Sequence, residues 1–244
     1  MDPTTLRLIQ GAAGAAAAGA TYVDDLFNTD VWDGTGSAQT ITNGIDLDGE
    51  GGMVWTKVRN YSDLHTLMDS ERGKTGTYFD EFASDSTYGS QTTRPWGITS
   101  FNSNGFSLGG DNNQFNSSSY KYCSWTFRKT PGFFDIIQWT GNSTAGRTIS
   151  HNLGSAPGAI FVKRTDGVGN WSVFHRKMNG NGDGYMHLNN ENAAQSTGEL
   201  LWGDGSTFIA PTSTTITLGS DSFVNYSGYE YIAYIFAHDE AIFG

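Results

Sequence analysis

Two carboxylates near the end of a predicted strand could do acid–base chemistry. Asp69 and Glu71 stand two residues apart, so on a strand their side chains would point to the same side. A glycoside hydrolase needs two carboxyl groups about 5–9 Å apart around one sugar bond. Arg72 follows the pair, and a solvated strand end with an ion pair is the simpler interpretation of such a cluster. The sequence therefore favours a structural role, with a polysaccharide depolymerase as the less favoured alternative.

Metal binding would need oxygen ligands at a fixed spacing. Residues 179–184 read Asn-Gly-Asn-Gly-Asp-Gly and resemble the first half of an EF-hand loop. The bidentate glutamate of that loop would fall at position 190, which is Asn190, and the nearest glutamate is Glu191. Residues 46–50 also carry carboxylates, but Asp-Gly pairs are mainly turn formers. We therefore predict no metal ion and no other cofactor.

Nucleophilic catalysis has little support in the sequence. Ser143 lies in a polar turn without the G-x-S-x-G elbow, and the single cysteine, Cys123, falls within an alternating strand pattern typical of a small buried hydrophobe. No H-E-x-x-H motif is present, and no histidine lies within four residues of another. The histidines are His65, His151, His175, His187 and His238. We expect a protein that is not an enzyme.

An internal repeat accounts for most of the chain. Five segment pairs occur in the same order, at offsets of 105, 108, 106, 107 and 109 residues. The pairs are 30–36 with 135–141, 40–42 with 148–150, 52–57 with 158–163, 64–73 with 171–180, and 120–127 with 229–236. Conserved order at nearly one spacing indicates duplication. The sequence predicts two units, residues 25–134 and 135–244.

The repeated segments alternate with a period of two residues, which is typical of strands. Asn-Gly and Asp-Gly pairs between them accept the positive φ of tight turns. The sequence thus predicts an all-β fold of two tandem antiparallel β-sandwich repeats. In residues 120–127 we expect the face with Cys123, Trp125 and Phe127 to be the inner one. Lys57 and Lys163 end two apolar runs of central strands, so we expect them at the solvated ends.

Charge and composition exclude several classes of partner. The formal net charge is −11, which opposes binding to nucleic acid or to an anionic membrane surface. Residues 11–20 contain only Gly and Ala and are too short and too weakly apolar to span a bilayer. We interpret residues 1–24 as an N-terminal attachment arm. The sequence therefore predicts neither nucleic-acid binding nor membrane insertion.

Long phrases of the sequence resemble a repeated β-rich domain of unassigned function found in structural proteins of tailed bacteriophages, especially marine ones. The phrases are ITNGIDLDGEGGMVWTK, ITSFNSNGFSLG, SWTFRKTPGFFDI, TISHNLGSAPGAIFVKRTD, APTSTTITLG, YIAYIFAHD and the opening MDPTTLRLIQGAAGAA. The resemblance covers nearly the whole chain and implies a virion protein, most simply in the tail, whose repeats are jelly-roll or lectin-like sandwiches. It implies no catalytic residue.

Aromatic residues in the least similar loops are candidates for recognition. Residues 74–97 and 181–205 differ most between the two units, and variable loops on a fixed scaffold often carry binding sites. They contain the candidate receptor-binding or glycan-binding residues Tyr78, Tyr88, Trp96 and Trp202. Trp96-Gly97 and Trp202-Gly203 occur at similar places in the two units, so a core role is an equal alternative for both tryptophans.

These observations predict a non-enzymatic virion protein, a tail fibre or tail-tip adhesin that contacts a glycan or protein on the host surface. The arm would bind other virion proteins, and the fibre resemblance favours a symmetric homo-oligomer, a trimer above other states. A purely architectural virion subunit, such as a capsid decoration or tail-associated protein, is the alternative of a different class.

Overall fold

The computed structural model describes residues 22–92 and 94–238, so residues 1–21 of the predicted arm (residues 1–24) lie outside the described part. A short helix, α1 (Val23–Leu26), leads into the first strand. The strands of the first half are β1 (Phe27–Asp33), β2 (Gln39–Thr42), β3 (Gly52–Val58), β4 (Thr66–Asp69), β5 (Lys74–Thr75), β6 (Tyr78–Phe79), β7 (Phe82–Ala83), β8 (Ile98–Asn102), β9 (Gly105–Leu108) and β10 (Lys121–Arg128).

The second half continues with strands and two short 3-10 turns. The strands are β11 (Phe134–Thr140), β12 (Arg147–Ser150), β13 (Pro157–Arg164), β14 (Ser172–His175), β15 (Met186–His187), β16 (Thr215–Leu218) and β17 (Glu230–Ala237). The 3-10 turns span Met178–Gly180 and Gly198–Leu200. Within the described residues, no helix is long and apolar enough to cross a membrane.

The strands form two five-stranded sheets and three smaller ones. The larger sheets have the orders β1-β10-β3-β4-β7 and β11-β17-β13-β14-β15. The smaller sheets are β2-β9-β8, β12-β16 and β5-β6. Each ladder between described strands is antiparallel. The prediction of an all-β antiparallel chain is confirmed.

Tight turns follow the residues that favour them. Asn104 precedes Gly105, where the β8–β9 hairpin returns with φ at 143°. A Cβ atom on Gly105 would lie 2.0 Å from the carbonyl oxygen of Ile41 on the neighbouring strand β2. Gly105 is therefore needed both for its backbone angle and for the close approach of the two strands.

Each large sheet shares a hydrophobic core with a smaller sheet. In the first half, Trp32 and Tyr122 of the large sheet pack against Ile41 and Phe106 of the β2-β9-β8 sheet. In the second half, Trp139, Tyr231 and Ile235 pack with Ile216 and Leu218 of β16. Burial of these aromatic and aliphatic side chains is the main stabilising contribution to each half.

A third core lies where the two large sheets face each other. Its buried members come from both halves and are Met53, Leu67, Phe82, Phe134, Ile136, Trp171, Ile232 and Tyr234. Trp55, Phe127, Phe133, Phe161 and Phe236 pack around them. The large sheets are thus covered on both faces, which explains why β3 and β13 are apolar on both sides.

The two faces of residues 120–127 pack differently from the expectation, because the face opposite Cys123, Trp125 and Phe127 is the one that covers the core of the first half. Tyr122, on the opposite face, lies in the first core, and Ser124 and Thr126 beside it are buried. Phe127 belongs instead to the third core, and Cys123 is half-buried. The predicted alternation is correct. The face with Phe127 lies between the two halves and packs against the other large sheet, whereas the face with Tyr122 packs against the small β2-β9-β8 sheet.

Lys163 also departs from the expectation of a solvated strand end. Its side chain is 0% exposed and its ammonium group donates to the carbonyl oxygens of Thr87, at 2.9 Å, and Gly169. Because Thr87 belongs to the first half, this lysine joins the two halves. Lys57, half-buried, donates to the carbonyl oxygen of Asp63 at 2.5 Å.

Candidate functional site

The two carboxylates that could have formed a hydrolytic pair have separate surroundings. Asp69 is buried; its Oδ2 lies 2.6 Å from Nε of Arg72 and accepts a hydrogen bond from the hydroxyl of Tyr234 at 2.7 Å. Glu71 pairs with Lys129 at 2.5 Å. The expected solvated strand end is therefore a buried ion pair at Asp69. This carboxylate is held by a cation and a phenol from the opposite sheet.

The other residues considered for chemistry make structural contacts. Ser143 has a positive φ of 56°, and its Oγ accepts from the backbone N–H of Ser227 at 2.8 Å. Burial raises the pKa of the Cys123 thiol, which disfavours the reactive thiolate. Among the described residues, no group of three or more His, Cys, Asp or Glu side chains could hold a metal ion.

The EF-hand-like residues 179–184 form turns. The amide nitrogen of Asn179 donates to the carbonyl oxygen of Asp183 at 2.6 Å, and Oδ1 of Asn181 accepts from the backbone N–H of Asp183 at 3.0 Å. The Asn oxygen that an ion would need is thus engaged with the backbone at Asn181. The segment is explained by its turns.

The predicted recognition aromatics occupy four different environments. Tyr88 is 62% exposed on a loop of the first half. Tyr78 is half-buried on β6, and Trp96 is half-buried with its indole N–H donating to Oε1 of Gln114 at 3.1 Å. Trp202 is 1% exposed and packs edge-on to Phe174 in the second core. The core alternative therefore fits Trp202, and none of the four residues lines the cavity beside β15.

A cavity of about 340 Å³ lies beside β15 in the second half. We call it the β15 cavity. Its lining residues are Asn170, Tyr185, Met186, His187, Asn192, Ala193, Gln195 and Phe223. Most of them fall in or beside the variable region at residues 181–205, so the region predicted for recognition does contain a cavity.

The edge of the second large sheet positions this lining. His187 and Met186 pair with Ser172 and Val173 of β14, which ties the short strand β15 to the sheet. One residue earlier, the backbone of Tyr185 pairs with that of Gln195 through hydrogen bonds of 3.2 and 2.8 Å. The cavity wall is therefore held by main-chain hydrogen bonds on both sides.

Three rings lie against one another in the wall. The rings of His187 and Phe223 are 4.7 Å apart and nearly perpendicular, and those of Tyr185 and His187 are 5.4 Å apart. Asp221 fixes the start of the Phe223 turn by accepting the Phe223 backbone N–H at 2.8 Å. Packed rings of this kind give a rigid apolar surface.

His187 is the only titratable imidazole in the described lining, and its protonation state follows from its contacts. Burial lowers its pKa, against the opposing effects of the Trp171 carbonyl and the Asp221 charge. Nδ1 lies 3.3 Å from the carbonyl oxygen of Trp171. Since a carbonyl can only accept, Nδ1 carries the hydrogen, and Nε2 of the neutral ring is left as an acceptor.

Several polar atoms of the lining residues have no hydrogen-bond partner within residues 22–92 and 94–238. They include the hydroxyl of Tyr185, Nε2 of His187, Nδ2 of Asn170 and the side-chain amide of Asn192. The set contains both donors and acceptors. No lining residue is an Asp, Glu, Lys or Arg, so the cavity combines neutral polar groups with aromatic surface.

A smaller cavity of about 160 Å³ lies at the link between the halves. Its lining residues are Glu50, Lys129, Thr130, Pro131, Phe134, Asp135 and Asn152. Lys129 lies 3.9 Å from Asp135, whose Oδ2 accepts the Asn152 backbone N–H at 2.7 Å. Lys129 and Asp135 thus attract each other and Glu50 pairs with Arg128 at 3.2 Å, which favours a structural role for this region.

One family model matches residues 23–242 of the chain, and its description is Domain of unknown function (DUF7483). The chain belongs to the DUF7483 family. The match spans both large sheets. No curated protein matches the chain, and no solved structure matches it.

Sequence reasoning missed Tyr185, His187 and Phe223. His187 was considered only as a metal ligand, and Phe223 lies outside the variable loops. A usable signal did exist, because Tyr185 and His187 stand two residues apart, the spacing of one strand face, among Asn and Gly residues. The ring that completes the wall comes from a turn 36 residues later, between β16 and β17, and only the fold places it there.

Proposed function

We propose that this protein is a non-enzymatic adhesin of a phage virion, a tail fibre or tail-tip subunit that contacts the host surface through the β15 cavity. The observation that carries the proposal is the cavity itself, an aromatic wall with unpaired neutral polar groups on a hydrogen-bonded sheet edge. The virion setting is supported by the resemblance of the repeated phrases to phage structural proteins.

A binding role accounts better for the chain than catalysis does. Asp69, the best candidate for acid–base chemistry, is buried and held by Arg72 and Tyr234. His187 is the only imidazole in the described lining, its pKa is lowered by burial, and no described carboxylate lines the cavity with it. A glycoside hydrolase would need two carboxyl groups there.

The proposal includes two tandem β-sandwich repeats, residues 25–134 and 135–244. Support comes from the matching orders of the two large sheets and from repeated contacts. Trp32 stacks on Tyr122 at 5.5 Å and donates to the carbonyl of Phe115. Trp139 stacks on Tyr231 at 5.7 Å and donates to the carbonyl of Val224. Contacts this specific argue for two copies of one unit.

In the same proposal, residues 1–24 attach the protein to other virion proteins and the subunit forms a symmetric homo-oligomer, with a trimer favoured. The resemblance to fibre proteins supports this arrangement. Sedimentation equilibrium of the full chain tests this arrangement. A mass of three chains is expected, and a mass of one chain at every protein concentration measured would contradict the oligomer.

Binding of the purified chain to whole bacterial cells tests the adhesin proposal. Ala193→Trp places a large side chain in the β15 cavity, whereas Ala194→Trp places the same group at the next exposed residue, which does not line the cavity. We expect labelled chain to bind susceptible cells, binding to be lost in Ala193→Trp, and Ala194→Trp to bind like the parent.

The other outcomes identify the alternatives. Equal cell binding by both tryptophan variants would contradict the cavity as the contact site. No cell binding, together with incorporation into particles, would favour a purely architectural subunit. Release of reducing sugar from surface polysaccharide would indicate a depolymerase and overturn the non-enzymatic role.

A further inference from the structure

The residues beside the edge strand of each large sheet, β7 in the first half and β15 in the second, differ in chemistry between the halves. In the second half, Tyr185 forms an isolated backbone bridge with Gln195 beside β15. In the first half, Glu81 forms the same bridge with Gln91 beside β7, which is the corresponding edge strand of its sheet. The same backbone arrangement therefore carries an aromatic residue in one half and a carboxylate in the other.

In the first half, the region beside β7 is occupied by the side chains of Glu81, Arg94 and Trp96. Glu81 is buried and lies 3.2 Å from Nε of Arg94, and Arg94 also donates to Oε1 of Gln91 at 3.4 Å. The guanidinium of Arg94 lies over the ring of Trp96 at 5.3 Å, and the indole of Trp96 donates to Gln114. The ion pair and the ring thus fill this place with charged and aromatic groups, although Oε2 of Glu81 and Nε of Arg94 are buried without a hydrogen-bond partner.

The second half has no such filling. Where the first half has a charged pair beside its glutamine, the lining of the β15 cavity has rings and amides with unpaired polar atoms. A charged ligand in this cavity would lose hydration without gaining an opposite charge, which is costly. The cavity chemistry therefore suits an uncharged ligand with hydroxyl or amide groups and an apolar face.

We infer that the β15 cavity takes a neutral saccharide unit, which rests on the proposed adhesin function and specifies its ligand. The C–H face of a sugar ring would pack on the rings of Tyr185 and Phe223. Its hydroxyl groups would donate to Nε2 of His187 and exchange hydrogen bonds with the amides of Asn170 and Asn192. The first half would have no equivalent site.

The size of the cavity agrees with a single small unit. A volume of about 340 Å³ is at the low end of the roughly 300–1,000 Å³ found for small-molecule sites. Its neutral lining also distinguishes the cavity from sites that bind phosphate or carboxylate, where Arg donates two parallel hydrogen bonds or Lys supplies a single positive charge. A neutral saccharide is thus favoured over an acidic one.

The test is saturation-transfer NMR and calorimetry of the full chain with a fixed panel of sugars. The neutral probes are galactose, glucose, mannose, N-acetylglucosamine and N-acetylgalactosamine, and the acidic probes are glucuronate and N-acetylneuraminate. We expect at least one neutral probe to bind with one site per chain and the acidic probes to bind at least tenfold more weakly.

Variants locate the binding. Phe223→Ala and Ala193→Trp should each weaken binding at least tenfold, and Ala194→Trp should leave it within twofold. Thermal unfolding checks that Phe223→Ala folds, and Ala193→Trp provides the same test without removing a packed ring. Gln91→Ala in the first half should change neither affinity nor stoichiometry.

Each contrary result overturns the inference. Binding of none of the neutral probes, preference for an acidic probe, or two sites per chain would each contradict it. If the chain binds cells through the cavity but binds no neutral sugar, the ligand assignment fails while the adhesin function stands. If neutral sugars bind in the cavity but cells are not bound, the saccharide assignment stands and the adhesin function fails.

Discussion

The hydroxyl of Tyr234 on β17 donates a 2.7 Å hydrogen bond to Asp69 at the end of β4, so a buried polar contact joins the two large sheets. Arg72 completes the group by pairing with Asp69 and donating to the carbonyl of Leu67 at 3.1 Å. Because all of these groups are buried in the third core, the contact ties the packing of the halves to a few specific hydrogen bonds.

Removing the carboxylate charge should destabilise the protein strongly. In Asp69→Asn, Arg72 remains buried without its counter-charge, and breaking a buried pair in this way costs roughly 3–5 kcal/mol. Tyr234→Phe leaves the ion pair intact and should cost about 1–2 kcal/mol. Urea denaturation of both variants gives the two free energies of unfolding.

The exposed pair Asp33–Lys121 provides the control for that measurement. Asp33 is 73% exposed, so Asp33→Asn should change the free energy of unfolding by less than about 1 kcal/mol. Equal effects of Asp69→Asn and Asp33→Asn would show that the contact between the sheets is not formed in solution.

Lys163 should make stability depend on pH in the alkaline range. Burial lowers its pKa to about 8, below the ordinary value of 10.5. Between pH 8 and pH 10.5, Lys163 is protonated more fully in the unfolded chain than in the folded chain. Its contribution to the free energy of unfolding therefore rises with pH, by at most about 1.4 kcal/mol per pH unit.

The measurement compares the parent chain with Lys163→Met at pH 7.5–9.5. We expect the difference in stability, parent minus variant, to grow as pH rises, because Lys163→Met removes the proton uptake on unfolding. Taking the difference removes the contributions of other groups, such as Cys123, whose pKa burial raises. A difference that stays constant would mean that Lys163 remains fully charged and well solvated in the folded chain.

Glu81 should act in the opposite direction at lower pH. Desolvation raises its pKa to about 7, from 4.5, although Arg94 opposes the shift. The folded chain therefore binds more protons than the unfolded chain between pH 4.5 and 7. The contribution of Glu81 to the free energy of unfolding falls as pH rises through that range.

Glu81→Gln isolates this effect, since the amide keeps the shape and loses the titration. The stability difference between parent and variant should decline from pH 5 to pH 7, and it should level off above about pH 8. Denaturation curves in buffers of equal ionic strength provide the values. A flat difference would place the pKa of Glu81 near its ordinary value and remove burial as its main influence.

Asn116 and Asn225 test whether the halves are built alike. Asn116 is buried and donates to the carbonyls of Ser37 and Gly109 at 2.6 and 2.7 Å. Asn225 is buried and donates to those of Thr144 and Gly219 at 3.0 and 2.9 Å. Each alanine variant should cost about 1–3 kcal/mol for every carbonyl left unpaired.

Similar losses in Asn116→Ala and Asn225→Ala, measured by urea denaturation, are the expected outcome of a duplicated structural unit. A loss in one half alone would count against equivalent roles. Ser118→Ala, at an exposed position two residues from Asn116, serves as the control and should change stability by less than about 0.5 kcal/mol.

The sequence predicted strands and turns because alternation and Asn-Gly pairs are local signals. It did not predict what covers each face. Along β17, Tyr231 and Ile235 face one core and Ile232 and Tyr234 another, and alternation cannot distinguish a small sheet from a large one as the covering layer. Lys163 was placed in solvent for the same reason, since its partner Thr87 lies 76 residues away.

The candidate site was predictable only in its region. Residues 181–205 were identified as a variable loop, and the β15 cavity lies there. Trp202, a candidate from this loop for which a core role was an equal alternative, is buried in the core, whereas Phe223 reaches the cavity from a distant turn. A ring's role depends on which backbone segments meet around it, and that information is not local.

His187 offers a last prediction that links the cavity to its ligand. Burial holds its pKa below 6.5, while Asp221 opposes that shift and Tyr185 packs on its ring. A neutral saccharide that donates to Nε2 binds the unprotonated ring, so binding must lower the pKa of His187 further. Affinity should accordingly fall severalfold between pH 7.5 and pH 5, and His187→Gln should show a much weaker pH dependence. Histidine NMR titrations with and without saturating sugar measure the shift directly. An unchanged or raised pKa of His187 would mean that the ligand does not donate a hydrogen bond to Nε2.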